Sequence, residues 1–405
     1  YALSMKNLYI VASSARNSHY GIGSYVENFR YLCSLEREYC LHILILDSEK
    51  EFYTFSEEKN IVTHYYPACK SKSSVHKYML SVFMLMRTTI NMNEDSVFIF
   101  NFPNHIDLME RIKEFNPSIT VLYILHINLW SFYLNGNEKY FSNVVNHKVE
   151  ICNQELSILK DFEMENRIFS VVDKIISLSK DTSRVLQTYY NMTPNKLNLI
   201  YNALPDAYQV MSKEEKAALK SSFSYAPDEK LILYVGRIDS MKGVPATIEA
   251  FKKLVVKHPE CRLLIVGEGN EMETCMQACK GFWNKIAFAG RLERSLIYQL
   301  YQIADAGIML SMHEQCSYVA IEMLMHDIPL IATDTTGLNE MIADSPYKVH
   351  LQYTERETII PIDEVVEKLE LALFDPQDYS SRRIYLANYT MDLYCQHMKE
   401  LFDCL

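Results

Sequence analysis

No apolar run in this sequence approaches the roughly 18 to 20 residues that a spanning helix needs, and no signal-peptide pattern opens the chain. A cytoplasmic location is therefore expected. The ten cysteines are scattered, without a C-x-x-C pair or a metal-like Cys/His cluster. That pattern fits a reducing compartment in which thiols serve as small hydrophobes, and it implies no metal. A basic excess is lacking as well. The formal charge is -11, with about 20 basic against 21 acidic residues in 1–200 and about 20 against 30 in the remainder. A general nucleic-acid binder would rest on phosphate neutralisation by a basic face, so no nucleic-acid partner is expected. No internal repeat or low-complexity tract is visible.

What is present is an ordinary globular composition, 49% hydrophobic and 22% charged over 405 residues, long enough for two domains. Short β-branched runs alternate with longer helical patterns, as in parallel sheets built from βαβ units. One series of strands is read at 8–13, 41–47, 97–102, 120–127 and 174–179. A second is read at 231–238, 262–269, 285–292, 306–311 and 329–334. The polar, proline-bearing stretch at about 203–228 reads as the connection between them. The expected organisation is α/β, with two Rossmann-like doubly wound domains facing across a cleft at the carboxyl ends of their strands. The domains are expected at 1–203 and 204–379, with the C-terminal segment 380–405 packing back on the first.

Two segments carry candidate chemistry. "YVGRIDSMKGV" (234–244) follows the first strand of the second series and projects Arg237 and Lys242 from a strand's carboxyl end. A guanidinium fork and a point-charge ammonium there suit a diphosphate, although alone the segment reads equally as a solvated turn. "HEQCSYVAIEML" (313–324) places Glu314 on a loop and Glu322 in the early turns of a helix. The amides of Ser317, Tyr318 and Val319 lie at that helix's N-terminus, a site suited to phosphate. A carboxylate can accept two hydrogen bonds from a vicinal diol; Glu322 could also simply complement the helix dipole.

The ordered set "VGRIDSMKG", "SMHEQCSYVAIEML" and "PLIATDTTGLNE" resembles the donor half of retaining glycosyltransferases of family 4, the glycosyl transferases group 1, which have the GT-B architecture. "YGIGSYVENF" (20–29), "LHINLW" (125–130) and "LIYNAL" (199–204) extend the resemblance over nearly the whole chain. It implies that Arg237 and Lys242 bind the donor diphosphate, Glu322 holds the ribose hydroxyls and Glu314 contacts the transferred sugar. Gly21 and Gly23 bring amides to the phosphates, His126 faces the reacting sugar, and the backbone near Arg291 and Leu292 meets the base. Gln315, Cys316 and Ser317 replace the family's Gly-aromatic-Gly step, which leaves the sugar's identity open.

The resemblance further implies transfer from a nucleoside-diphosphate sugar, with UDP favoured, to an acceptor hydroxyl of a glycan, lipid-linked glycan or peptide. No Asp-x-Asp pair occurs, so protein cations and amides are expected to meet the diphosphate charge without a metal or other cofactor. A GT-B-like epimerase or phosphorylase and a non-catalytic nucleotide-sugar binder are the alternatives. Among weaker candidates, "GEGNEM" (267–272) reads as a βα turn and His105 as a turn residue. Segment 70–90, with Lys70, Lys72, Lys77 and Arg87 beside a methionine-rich face, reads as core packing or as a peripheral contact with the inner membrane face.

Overall fold

The computed structural model describes residues 6–13, 22–36, 38–69 and 74–405. They form two units. One comprises the described residues through Leu129 together with Cys152–Ile200 and Tyr394–Leu405; the other comprises Trp130–Ile151 and Tyr201–Leu393. The expectation assigned all of 1–203 to the first domain, whereas contacts group 130–151 with the second. The expectation also sent 380–405 back to the first; of this segment, 394–405 groups there, and the helix Ser381–Asn388 stays with the second.

The first unit's sheet contains β1 (Lys6–Ser13), β2 (Tyr39–Ser48), β3 (Thr54–Glu58), β4 (Ile61–Pro67), β5 (Ser96–Phe100), β6 (Thr120–Leu125), β7 (Lys174–Ser177) and β8 (Leu197–Leu199). Their order is β3-β4-β2-β1-β5-β6-β7-β8, parallel except for the antiparallel β3–β4 hairpin. Ile10 of β1 lies opposite Ile43 and Ile99, and Leu8 through Ala12 are buried without a break. A strand covered on both faces needs that continuous apolar run. The helix Val75–Thr89 is capped by Ser74, whose side chain accepts the Lys77 N–H, and turns Met79, Val82, Phe83 and Met86 inward. Core packing is thus what its methionine-rich face does; Lys70 and Lys72 lie outside the described residues.

The second unit's sheet contains β9 (Lys230–Val235), β10 (Cys261–Val266), β11 (Ile286–Gly290), β12 (Ala306–Met309), β13 (Leu330–Thr333) and β14 (Lys348–Val349), with a separate ribbon of β15 (Gln352–Tyr353) and β16 (Thr358–Ile359). The order is β11-β10-β9-β12-β13-β14 and every pairing is parallel. From β9 the chain winds outward through β10 and β11, then returns to start again at β12. The strand order therefore reverses between β9 and β12, and the loops leaving their carboxyl ends flank a topological switch point. Among the described residues, no helix is long and apolar enough to cross a membrane.

Candidate active site

Because β9 and β12 are hydrogen-bonded neighbours, the loop 236–243 and the loop 310–317 leave the sheet side by side. The Met312 N–H donates to the Met241 carbonyl at 2.8 Å and joins them. Gly243 makes the close approach possible. It adopts φ 65°, and a Cβ there would lie 2.2 Å from the Leu310 carbonyl oxygen and 2.8 Å from Leu310 Cβ. Only glycine combines that backbone with that clearance.

The consequence is a charged junction. The Lys242 ammonium bonds the Glu314 carboxylate, and the Ser311 hydroxyl donates to the same Oε1 at 2.9 Å. Glu314 is held from behind by the helix Thr336–Ile342: its N–H donates to Thr336 Oγ1 at 3.0 Å, and its carbonyl accepts the Gly337 N–H at 2.8 Å. Arg237, half exposed, lies 3.2 Å from Asp239 Oδ2, and its carbonyl accepts the Tyr234 hydroxyl at 2.6 Å. Burial raises the Tyr234 phenol well above its ordinary pKa, with Asp239 and Glu314 adding to the effect and Arg237 opposing it. Tyr234 therefore remains a donor that fixes the Arg237 backbone, and its phenol feels the charges of Asp239, Glu314 and Arg237.

His313, beside Glu314, is buried, and neither ring nitrogen has a hydrogen-bond partner among the described residues. Its ring meets Trp130 edge-on at 6.1 Å. Burial lowers its pKa to about 4, Glu314 opposing and Lys242 reinforcing, so a neutral imidazole stands next to the ion pair.

Ser317 caps the helix Tyr318–Met325, its Oγ accepting the Ala320 N–H at 3.4 Å. Ser317, Tyr318 and Val319 are half-buried there, which leaves the helix's first turn within reach of a ligand. Glu322 points instead toward the helix Arg294–Ile303. It is buried, accepts the Tyr301 hydroxyl at 2.9 Å and lies 3.9 Å from Arg294 Nε. Burial raises its pKa, against the bonds from Tyr301 and Tyr298 and the charge of Arg294. The structure thus joins Arg237, Lys242 and Glu314, and gives Glu322 to a second cluster with Tyr298, Tyr301 and His326. Arg291 is exposed and Leu292 half-buried, just after the edge strand β11.

In the first unit His126 follows β6. Its Nε2 is 2.8 Å from Asn101 Oδ1, and the Tyr25 ring stands edge-on at 5.2 Å. Desolvation lowers its pKa to about 4, so it is neutral. Gly23 lies in the first turn of the helix Ile22–Leu35; Gly21 is outside the described residues. His105 ends the turn Pro103–His105 and packs between Phe100 and Phe102, as a turn residue should. No group of three or more His, Cys, Asp or Glu side chains able to hold a metal occurs among the described residues. Ser311, His313, Tyr301, Arg294 and Asn101 were not singled out in the sequence, because each acquires its role through a partner distant in the chain.

Residues 215–379 match the family model described as glycosyl transferases group 1. The chain is 30% identical over 173 residues to an uncharacterised glycosyltransferase of Methanocaldococcus jannaschii, a match covering 42% of this chain and 44% of that protein. It therefore spans less than half the length of that curated relative. Sucrose-phosphate synthase from Thermosynechococcus elongatus has the same fold over 98% of both chains, with a TM-score of 0.75 and 14% identity. HepE of Anabaena, solved in complex with UDP and glucose, matches 99% of this chain and 100% of its own, with a TM-score of 0.68 and 15% identity. The fold is accordingly that of the GT-B glycosyltransferases, with two parallel-sheet Rossmann-like domains.

Proposed function

We propose that the chain is a retaining, metal-independent glycosyltransferase that moves a sugar from a nucleoside-diphosphate sugar, preferentially a UDP-sugar, to an acceptor hydroxyl. The observation that carries this reading is the Lys242–Glu314 junction at the switch point of the second sheet, with Arg237 beside it. An incoming diphosphate offers Lys242 a doubly charged partner in place of Glu314. The exchange frees the carboxylate to accept hydrogen bonds from sugar hydroxyls, so one event charges the phosphate subsite and opens the sugar subsite. The first-turn amides at 317–319 add donors for the leaving phosphate. Glu322, which holds a fixed orientation through Tyr301, has a second oxygen to offer a ribose hydroxyl. His126 contributes a neutral imidazole that can exchange one hydrogen bond with a substrate hydroxyl.

The relatives support the donor class: residues 215–379 match a glycosyltransferase family model, and HepE was solved with UDP and glucose. Retention is assigned to a front-face route, in which the departing phosphate takes the acceptor proton, because the family resemblance aims the freed Glu314 carboxylate at sugar hydroxyls rather than at the anomeric carbon, which leaves no carboxylate nucleophile for a double displacement. The test is a thermal-shift and hydrolysis screen across UDP-, GDP- and ADP-sugars, with and without EDTA. A UDP-sugar should stabilise the chain and turn over in EDTA, and Arg237→Ala and Glu322→Ala should blunt both responses. Variants that answer nucleotide as the parent does would place the site elsewhere, and loss of turnover in EDTA would remove metal independence.

A further inference from the structure

The first unit contains a buried carboxyl that grips the loop behind His126. Glu165, in the helix Asn153–Val171, is 2% exposed. Its Oε1 accepts the Leu129 N–H at 2.8 Å, and its Oε2 accepts the hydroxyl of Tyr190, at the end of the helix Lys180–Tyr190. The side chain of Asn128, also buried, lies within bonding reach of that same hydroxyl. Tyr190 cannot drift, because the rings of Phe162 and Phe169 pack on it at 4.7 and 5.1 Å. Residues 128 and 129, two and three places after His126, are therefore tied to one carboxyl–phenol pair, while the imidazole itself is anchored to Asn101.

A carboxylate is a costly choice for mere packing at such a place. The titratable groups facing it are Tyr190, Tyr123 of β6 and Asp161 on its own helix, and no cation stands among those that set its ionisation. A glutamine of the same shape could accept the Leu129 N–H without the desolvation penalty. What glutamine cannot supply is the stronger, charge-assisted grip of an anion on two donors.

We infer that Glu165, together with Tyr190, is a positioning residue: its ionised form holds the Asn128–Leu129 backbone and thereby sets the His126 imidazole for the transfer proposed above. The inference rests on that reading for its kinetic consequence, not for its geometry. Burial pushes the Glu165 carboxyl up to about 7, with Tyr190 and Leu129 pulling it down and Asp161 pushing it further up. The grip thus gains its charge across the neutral range, being weak below it and strong above.

The test uses the full chain, its Glu165→Gln and Tyr190→Phe variants, and UDP-glucose as probe between pH 5.5 and 8.5. The parent's kcat should rise roughly threefold or more through pH 7 while KM changes less than about twofold, the signature of an interaction felt in the reacting complex. Glu165→Gln should be flat at the parent's low-pH level. Tyr190→Phe, which removes a donor to the carboxylate, should move the rise to higher pH. Backbone amide exchange of the 124–130 segment, corrected for intrinsic rates, should quicken in both variants. A Glu165→Gln enzyme that keeps the parent's rise, with unchanged exchange, overturns the inference. If the parent itself fails to turn over UDP-glucose, that failure belongs to the catalytic reading, and the exchange data alone decide whether Glu165 holds the loop.

Discussion

Lys242 and Glu314, 72 residues apart in the chain, are bonded to each other across the gap between two neighbouring loops. The contact is mostly sheltered, with side-chain exposures of 20% and 12%, so neither charge is fully repaid by water. Lys242→Ala should leave Glu314 short of its counter-charge and cost about 1–3 kcal/mol in unfolding free energy. Glu314→Ala should behave similarly, and the double variant should lose less than the sum, because the second change removes a charge already stranded. For nucleotide binding the two should part: Lys242→Ala weakens UDP affinity by roughly tenfold or more, whereas Glu314→Ala releases the ammonium for phosphate and preserves or tightens it. Denaturant titration and calorimetric binding read the two effects separately, and weakened UDP binding in Glu314→Ala would sink the exchange of partners proposed for Lys242.

Gly243 offers a test of how the two loops are held without touching a charge. An alanine Cβ would sit 2.2 Å from the Leu310 carbonyl oxygen at φ 65°, so the clash adds to the backbone strain of about 1–3 kcal/mol expected for a left-handed non-glycine residue. Gly243→Ala should therefore be destabilised by more than about 2 kcal/mol and should lose UDP binding along with Lys242→Ala. Gly281 is the control: it too is left-handed, at φ 86°, but a Cβ there meets nothing within 4 Å. Gly281→Ala should cost less and leave nucleotide binding intact. Equal effects at the two positions would mean that strain alone, not the approach to Leu310, governs the loop.

Much of this arrangement is legible in the sequence. The runs "LILYVG" and "AGIMLS" announce buried parallel strands through continuous β-branched and aliphatic residues, and the charged residues just past them can sit nowhere but at the carboxyl edge. The pairing of β9 with β12, which makes neighbours of Lys242 and Glu314, follows from strand order and is invisible to periodicity. The β3–β4 hairpin escapes the reading because "TFSEE" is polar and mostly exposed, so an edge strand there looks like a loop. Segment 130–151 groups with the second unit through contacts such as Thr358 Oγ1 to the Asn135 carbonyl at 3.0 Å, a pairing over 223 positions that no local pattern encodes. Glu165 is illegible for a related reason: in a helix that carries Glu155, Asp161, Glu163 and Glu165, nothing local shows that Glu155 and Glu165 are buried, or that Glu165 alone reaches the Leu129 N–H.

The Glu322 cluster gives a third prediction. Tyr301 is the donor that keeps a buried carboxyl oriented, and its bond is among the influences that lower the Glu322 pKa against burial. Tyr301→Phe keeps the ring packing and deletes only that donor, at an expected cost of about 1–3 kcal/mol for an acceptor left unsatisfied. The Glu322 pKa should move further upward. If Glu322 accepts ribose hydroxyls in its ionised form, nucleotide affinity in this variant should fall more steeply on acidification than in the parent. Parallel pH dependences of affinity in the two proteins would separate Glu322 from the ribose.

Acid should unfold this protein through its histidines. His42, His64, His126 and His313 are each lowered to about 4 by burial, whereas an unfolded chain protonates them near 6.5. Between those limits the unfolded state binds more protons, so the stability each contributes is whole above about pH 6.5 and drains as pH falls toward 4, at up to about 1.4 kcal/mol per pH unit per histidine. Glu165, raised to about 7, acts in the opposite sense: in the same window its folded state holds the proton, and its contribution grows on acidification. Glu322, also raised by burial, acts in that same sense, but two carboxyls do not offset these four imidazoles together with His326, which burial lowers as well, so net stability should fall. His42 and His64 should matter most together, because His42 Nδ1 lies 3.0 Å from His64 Nε2, and Tyr53 and Asn7 close the chain at either end. In that array one imidazole must donate and the other accept, and a second proton breaks it. Urea unfolding at successive pH values should show a midpoint that falls steeply from pH 6.5 to 4.5, with a shallower fall in His42→Gln. A midpoint that stays level across that range, or proton release rather than uptake on unfolding, would show that these imidazoles are charged in the folded chain and that burial does not set their ionisation.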